Sequence, residues 1–116
     1  MKVILFKENL KNGLMVAEKA VAENANLPIL KNILLKTTDN KIQIVSTNLE
    51  LAITKLISGK IIENGSLTIP FNTFYNIVNN TTHDRINLEK NNNNFIFKTD
   101  NYQAKIQGVA EDEFPI

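Results

Sequence analysis

Residues 26–35, NLPILKNILL, carry the chain out of a helix and into a strand. Proline at position 28 biases the residue before it toward extended geometry, and the apolar run behind it reads as a strand over Lys31–Thr38. Working outward from this junction gives a five-part pattern. Upstream lie a short apolar strand, Lys2–Phe6, and a helix, Glu8–Glu23. In that helix Leu10, Leu14, Ala17 and Val21 are spaced by four, three and four and build one apolar stripe. Downstream, Ile42–Thr47 and Leu49–Ile57 continue as strands. Gly13 weakens the helix by up to about 1 kcal/mol relative to Ala and marks a close packing approach.

The same pattern is then written a second time. Ser66–Ile69 is the short strand and Phe71–Asn79 the helix, with Phe71, Phe74 and Val78 as its stripe and Tyr75 beside it. Pro70 fits the first helical turn, where a missing N–H leaves nothing unpaired. Ile86–Lys90, Phe95–Thr99 and Tyr102–Gln107 complete the copy as strands. Asp39-Asn40, Asn64-Gly65, Asn91–Asn94 and Asp100-Asn101 supply the turns, because Asn, Asp and Gly tolerate positive φ. A duplicated βαβββ unit predicts an α+β fold with two helices packed on antiparallel sheets. Such a plan points to a pseudo-twofold scaffold more than to a catalytic pocket.

Composition narrows the function classes. At 116 residues the chain forms one domain able to bury roughly two-thirds of its unfolded surface. It has no cysteine, which removes disulfides, thiolate metal sites and cysteine nucleophiles together. No apolar run approaches the roughly 20 residues of a membrane span, and the start, MKVILFKENL, is too short in apolar residues for a signal peptide. A soluble, cytoplasmic protein is expected. The net charge of +1 is not the basic excess of a self-sufficient nucleic-acid binder. Residues 1–58 carry eight Lys against five acids, a balance of +3, and residues 59–116 carry four Lys and one Arg against seven acids, a balance of −2.

Catalytic readings fail one by one. The single histidine, His83, sits in a turn-rich stretch beside Asp84, and neighbours on a loop seldom aim at one atom. Glu111-Asp112-Glu113 reads as a solvated connector. Ser46, Ser58 and Ser66 lack a nucleophile-elbow context, and no phosphate-binding glycine loop is present. The residues imply no cofactor, no metal and no enzymatic activity. A binding or structural role is left.

Three segments sharpen that role: the 26–35 stretch, Thr47-Asn48-Leu49-Glu50 between two strands, and the closing Glu113-Phe114-Pro115. Taken in this order on a duplicated βαβββ pattern, they resemble the first domain of the bacterial β sliding clamp of DNA polymerase III. The resemblance spans the chain and implies a DNA-clamp fold, with residues 1–116 standing for the N-terminal one of three domains. In that family two chains close head-to-tail into a ring around duplex DNA, helices inward, tethering the replicative polymerase and catalysing nothing. Polymerase and clamp loader are met through later domains, and no membrane is involved.

On this resemblance Lys11 and Lys19 of the first helix, and Asn72, Asn76 and Asn79 of the second, are candidates to face DNA, or else ordinary solvent-exposed residues. Asn24 stands where many relatives place an Arg. Asn72 and Thr73, and later Asn79, stand at further positions that are basic in relatives, so DNA attraction by this domain is expected to be weaker. The ring interface is carried over onto Thr73 and Ile77 of the second helix and Ala104 and Ile106 of the last strand, although Ile77 and Ile106 read equally as core. A stand-alone α+β protein-interaction module with a clamp-like fold is the alternative reading.

Overall fold

The computed structural model describes residues 1–22 and 26–115. Its elements run β1 (Lys2–Phe6), α1 (Lys7–Ala17), β2 (Asn32–Thr38), β3 (Lys41–Thr47), β4 (Ala52–Ser58), β5 (Lys60–Glu63), β6 (Ser66–Pro70), α2 (Phe71–Asn80), β7 (Arg85–Asn91), β8 (Asn94–Lys98) and β9 (Gln103–Gln107). Short 3-10 turns cover Glu18–Ala20, Pro28–Lys31 and Glu111–Glu113. The expected α+β architecture is present, with two helices on two antiparallel sheets.

The two copies of the pattern do not fold side by side; they exchange their first strands. One sheet has the order β5-β1-β7-β8-β9 and the other β4-β3-β2-β6. Thus β1 joins the strands of the second copy and β6 joins those of the first. The registers match. Val3, Leu5 and Phe6 oppose Leu88, Ile86 and Arg85, while Leu67, Ile69 and Pro70 oppose Leu35, Ile33 and Asn32. The exchange makes each half incomplete without the other and locks the duplication into one core.

Alternation sets the inward faces. Val3 and Leu5, Ile42 and Ile44, Ile86 and Leu88, and Phe95 and Phe97 point inward and pack with Leu10, Leu14, Phe71, Phe74 and Val78 of the helices in a single cluster. Phe74 meets Phe95 edge-on, with centroids 5.4 Å apart, a favoured aromatic geometry. Gly13 has the close approach its position suggests. A Cβ built there would lie 2.8 Å from both Ile44 Cδ1 and Ile57 Cγ2.

Several boundaries differ from expectation, each for a local reason. The first helix ends at Ala17, where Ser46 Oγ donates to the Ala17 carbonyl at 2.7 Å. The Glu18 N–H reaches the Leu14 and Val16 carbonyls, the chain tightens into a 3-10 turn, and Val21 is already extended. Val21 still packs against the core, so the apolar stripe outlasts the helix. The expected helical end at Glu23 lies outside the described residues.

The strand expected from Leu49 begins at Ala52, because residues 48–51 form a turn. Asn48 Oδ1 accepts from the Glu50 and Leu51 N–H groups at 2.9 and 2.8 Å, and Leu49 has φ of 76°. Lys31 falls in the 3-10 turn before β2, and Pro70 closes β6 with extended dihedrals instead of opening the helix. The strand β5 was not expected at all. It is four residues long, and its adjacent Ile61 and Ile62 do not alternate.

Candidate nucleic-acid interface and domain edges

The helices bury Leu10, Gly13, Leu14 and Ala17 of α1, and Phe71, Phe74 and Val78 of α2. They also touch each other. What remains outward is set by sequence spacing. On α2 the exposed residues are Asn72, Thr73, Asn76, Asn79 and Asn80. The helix has no ionisable group except the half-buried Tyr75 phenol. Its outer face is therefore a row of neutral amides. Asn80 Nδ2 returns to the Asn76 carbonyl at 2.9 Å, while Asn72 and Asn79 have no side-chain hydrogen bond among the described residues.

On α1 the cations are few. Lys7 Nζ donates to the Thr81 carbonyl at 2.7 Å, fastening the start of α1 to the end of α2. Lys11 is half-buried and shares a cleft with Phe6, Glu8 and Asp84. Lys19 is exposed but sits in the 3-10 turn after α1, not on the helix itself. Asn24 lies outside the described residues. The helical surface can thus offer hydrogen bonds to phosphate oxygens with little net charge behind them.

The four candidates for a chain–chain contact divide. β9 is an edge strand, paired only with β8, so one side of its backbone has free donors and acceptors. Thr73 is exposed, and Ile77 and Ala104 are half-buried at the margin of the core. Ile106 is corrected to a core residue: it opposes Phe95 across the ladder and is 5% exposed, so its side chain has almost no surface to offer. The exposed aromatic side chain at this edge is Tyr102. It is 49% exposed, stands edge-on to Phe97 at 6.1 Å, and lines a cleft with Ile77 and Asn76. Tyr102, an aromatic directly ahead of an edge strand, is thus a further candidate, which reading it as an ordinary strand residue hid.

The duplication gives this edge a counterpart. β4 closes the four-stranded sheet and pairs only with β3, and it exposes Leu56 along its length and Leu51 just before it. Of the other residues considered for chemistry, Glu111 is tied to Lys36 and Ser66 and does not face open solvent alone. Among the described residues no group of three His, Cys, Asp or Glu side chains is placed to hold a metal ion, and no helix is long and apolar enough to cross a membrane.

The beta sliding clamp of Synechococcus elongatus is 25% identical over 118 residues, covering 99% of this chain and 32% of that protein. The crystal structure of a putative DNA polymerase III beta subunit from Eubacterium rectale superposes with a TM-score of 0.95 at 27% identity, covering 100% of this chain and 32% of that one. The Helicobacter pylori beta clamp bound to DNA ligase peptide superposes at 0.94 with 21% identity, covering 100% of this chain and 33% of that one, a likeness of fold. The chain thus spans about a third of the relatives it matches. The family model for the DNA polymerase III beta subunit, N-terminal domain, matches residues 1–116, and the chain belongs to that family.

Proposed function

We propose that this chain works as the N-terminal domain of a ring-shaped sliding clamp, a non-catalytic processivity factor that encircles duplex DNA and tethers a replicative polymerase in the cytoplasm. The observation that carries this reading is the pair of open edges, β4 and β9, that the internal duplication makes equivalent. A unit with two related open edges joins head-to-tail, and such heterologous contacts generate rings when the rotation closes. Tyr102 and Ala104 at the β9 edge, with Thr73 and Ile77 on α2, form the contact to a second clamp chain. Backbone pairing along the β9 edge supplies the hydrogen bonds.

The helical face suits a sliding contact. Phosphate contacts position a protein without reading sequence, and a surface of Asn72, Asn76 and Asn79 with Lys11 and Lys19 holds DNA weakly enough to move. Charge-poor helices leave retention to topology. Polymerase and clamp loader then engage domains beyond this one.

The test is retention on DNA by the full-length gene product loaded onto nicked circular plasmid. Retention that disappears when the plasmid is linearised supports the reading. Equal retention on linear and circular DNA, or a stable complex of the full-length product with a protein partner and no retention on circles, overturns it in favour of a stand-alone interaction module.

A further inference from the structure

We propose that Asn64 is a site of spontaneous deamidation in this protein and that the Thr37 hydroxyl holds the reaction in check. An asparagine followed by glycine is chemically labile. The glycine amide nitrogen attacks the asparagine Cγ and closes a five-membered succinimide. The Cγ–Nδ2 bond breaks, and ammonia leaves with the proton that the attacking nitrogen gives up. Water then opens the ring to aspartate or to its β-linked isomer, isoaspartate. Glycine favours the attack because it has no Cβ to crowd its nitrogen and leaves the backbone free to turn.

The sequence contains this pair twice, at Asn12-Gly13 and Asn64-Gly65, and packing requires both glycines. A Cβ at Gly13 would lie 2.8 Å from Ile44 Cδ1 and from Ile57 Cγ2, and one at Gly65 would lie 2.7 Å from the Met1 nitrogen and 2.9 Å from Met1 Cα. The surroundings of the two pairs differ. Gly13 lies within α1, where the helical ladder takes up its N–H and fixes the dihedrals on both sides. Asn64 and Gly65 link β5 to β6, strands of different sheets, so neither a helix nor a hairpin restrains the link, and Asn64 is exposed.

One side chain restrains it instead. Thr37 Oγ1 accepts from the Gly65 N–H at 3.0 Å and donates to Asn64 Oδ1 at 2.9 Å. The attacking nitrogen and the carboxamide under attack are therefore fastened to the same hydroxyl. That hydroxyl is itself well placed, because Thr37 is 8% exposed and its own N–H donates to the Gly65 carbonyl at 3.0 Å. Ring closure needs the Gly65 nitrogen to surrender its proton and the Asn64 side chain to swing onto it, and each motion breaks a hydrogen bond to Thr37. Isoaspartate would add a backbone carbon directly before Gly65, which is held against Met1, and before Ser66, whose hydroxyl donates to Glu111.

The experiment incubates the folded chain, and separately a peptide of residues 60–69, at mildly alkaline pH and follows conversion at each asparagine by mass spectrometry of digests. Conversion at Asn64 should be slower in the folded chain than in the peptide, with Asn12 unconverted. Thr37→Val should speed conversion at Asn64 roughly tenfold, the scale of two ordinary hydrogen bonds. Thr37→Ser keeps the hydroxyl and should stay near the parent rate. Asn12 reports on wholesale unfolding, since a variant that only destabilised the fold would convert both pairs faster together. The proposal is overturned if Thr37→Val leaves Asn64 unchanged or unconverted, if it speeds Asn12 in parallel, or if Thr37→Ser behaves as Thr37→Val does. It is equally overturned if the folded parent converts at Asn64 as fast as the peptide.

Discussion

Lys36 Nζ lies 2.7 Å from Glu111 Oε2, and the other oxygen of that carboxylate accepts from Ser66 Oγ at 2.7 Å. One side chain near the end of the chain therefore fastens β2 to β6, the two strands that the halves contribute to the same sheet. The hydrogen bonds from Lys36 and then Ser66 hold the Glu111 carboxyl below the usual carboxylate range. Because the folded value is depressed, the stabilisation is complete above the unfolded value and is lost as pH falls through the folded one. Both partners are more than a third exposed, so screening keeps the contribution at or below about 1 kcal/mol. Glu111→Gln should lower the melting temperature slightly at neutral pH, and melting curves of the two proteins should converge in acid below the ordinary glutamate range.

The same segment delivers Phe114, which is 5% exposed and completes the small cluster of Leu34, Val45 and Ile29 on the outer sheet face. Phe114→Ala should destabilise by about 3 kcal/mol, the lower end for a buried phenylalanine, since the site lies at the periphery and water can fill it. Urea denaturation measures this. A loss below about 0.5 kcal/mol, the scale of ordinary surface changes, would mean that the segment is not docked in solution.

Gly13 gives a prediction that opposes helix propensity. Alanine is the better helix former by up to about 1 kcal/mol, but its methyl would stand 2.8 Å from Ile57 Cγ2. That atom sits on a branched β carbon and cannot swing away as the nearby Ile44 Cδ1 can. Overpacking of this kind costs about 1–3 kcal/mol. Gly13→Ala should therefore lower the melting temperature, and a rise would show that α1 can lift off β3 and β4.

Core and edge residues of β9 separate in the same way. Ile106→Asp places a carboxylate where the side chain is 5% exposed and opposes Phe95. Burying it unpaired costs several kcal/mol, and the chain should lose its cooperative melt. Tyr102→Ala removes an exposed ring and should leave the domain folded. In the full-length protein, sedimentation should show weakened ring assembly for Tyr102→Ala if the open edge is the chain–chain contact.

These contrasts show what the sequence could and could not convey. Among the described residues, periodicity located both helices and eight of the nine strands, because each buries one face and the apolar residues must recur with the period of the backbone. Leu27-Pro28 and Asp39-Asn40 located junctions, since their backbone preferences are local. Partnership is not local. Nothing in Lys2–Phe6 says that it pairs with Arg85–Asn91, most of the chain away, so the strand exchange appears only in three dimensions. Ile106 shows the limit at the candidate interface: on an edge strand one face points to core and the next to solvent, and the phase is set by the opposing Phe95. The end of α1 was hidden for a related reason, because the hydroxyl that captures the Ala17 carbonyl comes from Ser46 on another strand.

The amide face of α2 carries the last prediction. Asn72 and Asn79 are exposed on a helix whose outward face bears no charge, so nothing there releases counterions from DNA. Each phosphate neutralised by a lysine adds about −0.9 to the slope of log affinity against log salt. Asn72→Lys with Asn79→Lys should therefore leave folding unchanged, since both side chains are solvent-facing, and should give the chain a measurable salt-dependent affinity for short duplex DNA. The parent chain should show negligible affinity under the same conditions. If the double variant gains no affinity at low salt while a control pair on the outer face of β9, Gln103→Lys with Gln107→Lys, does gain it, DNA does not meet this protein along its helices.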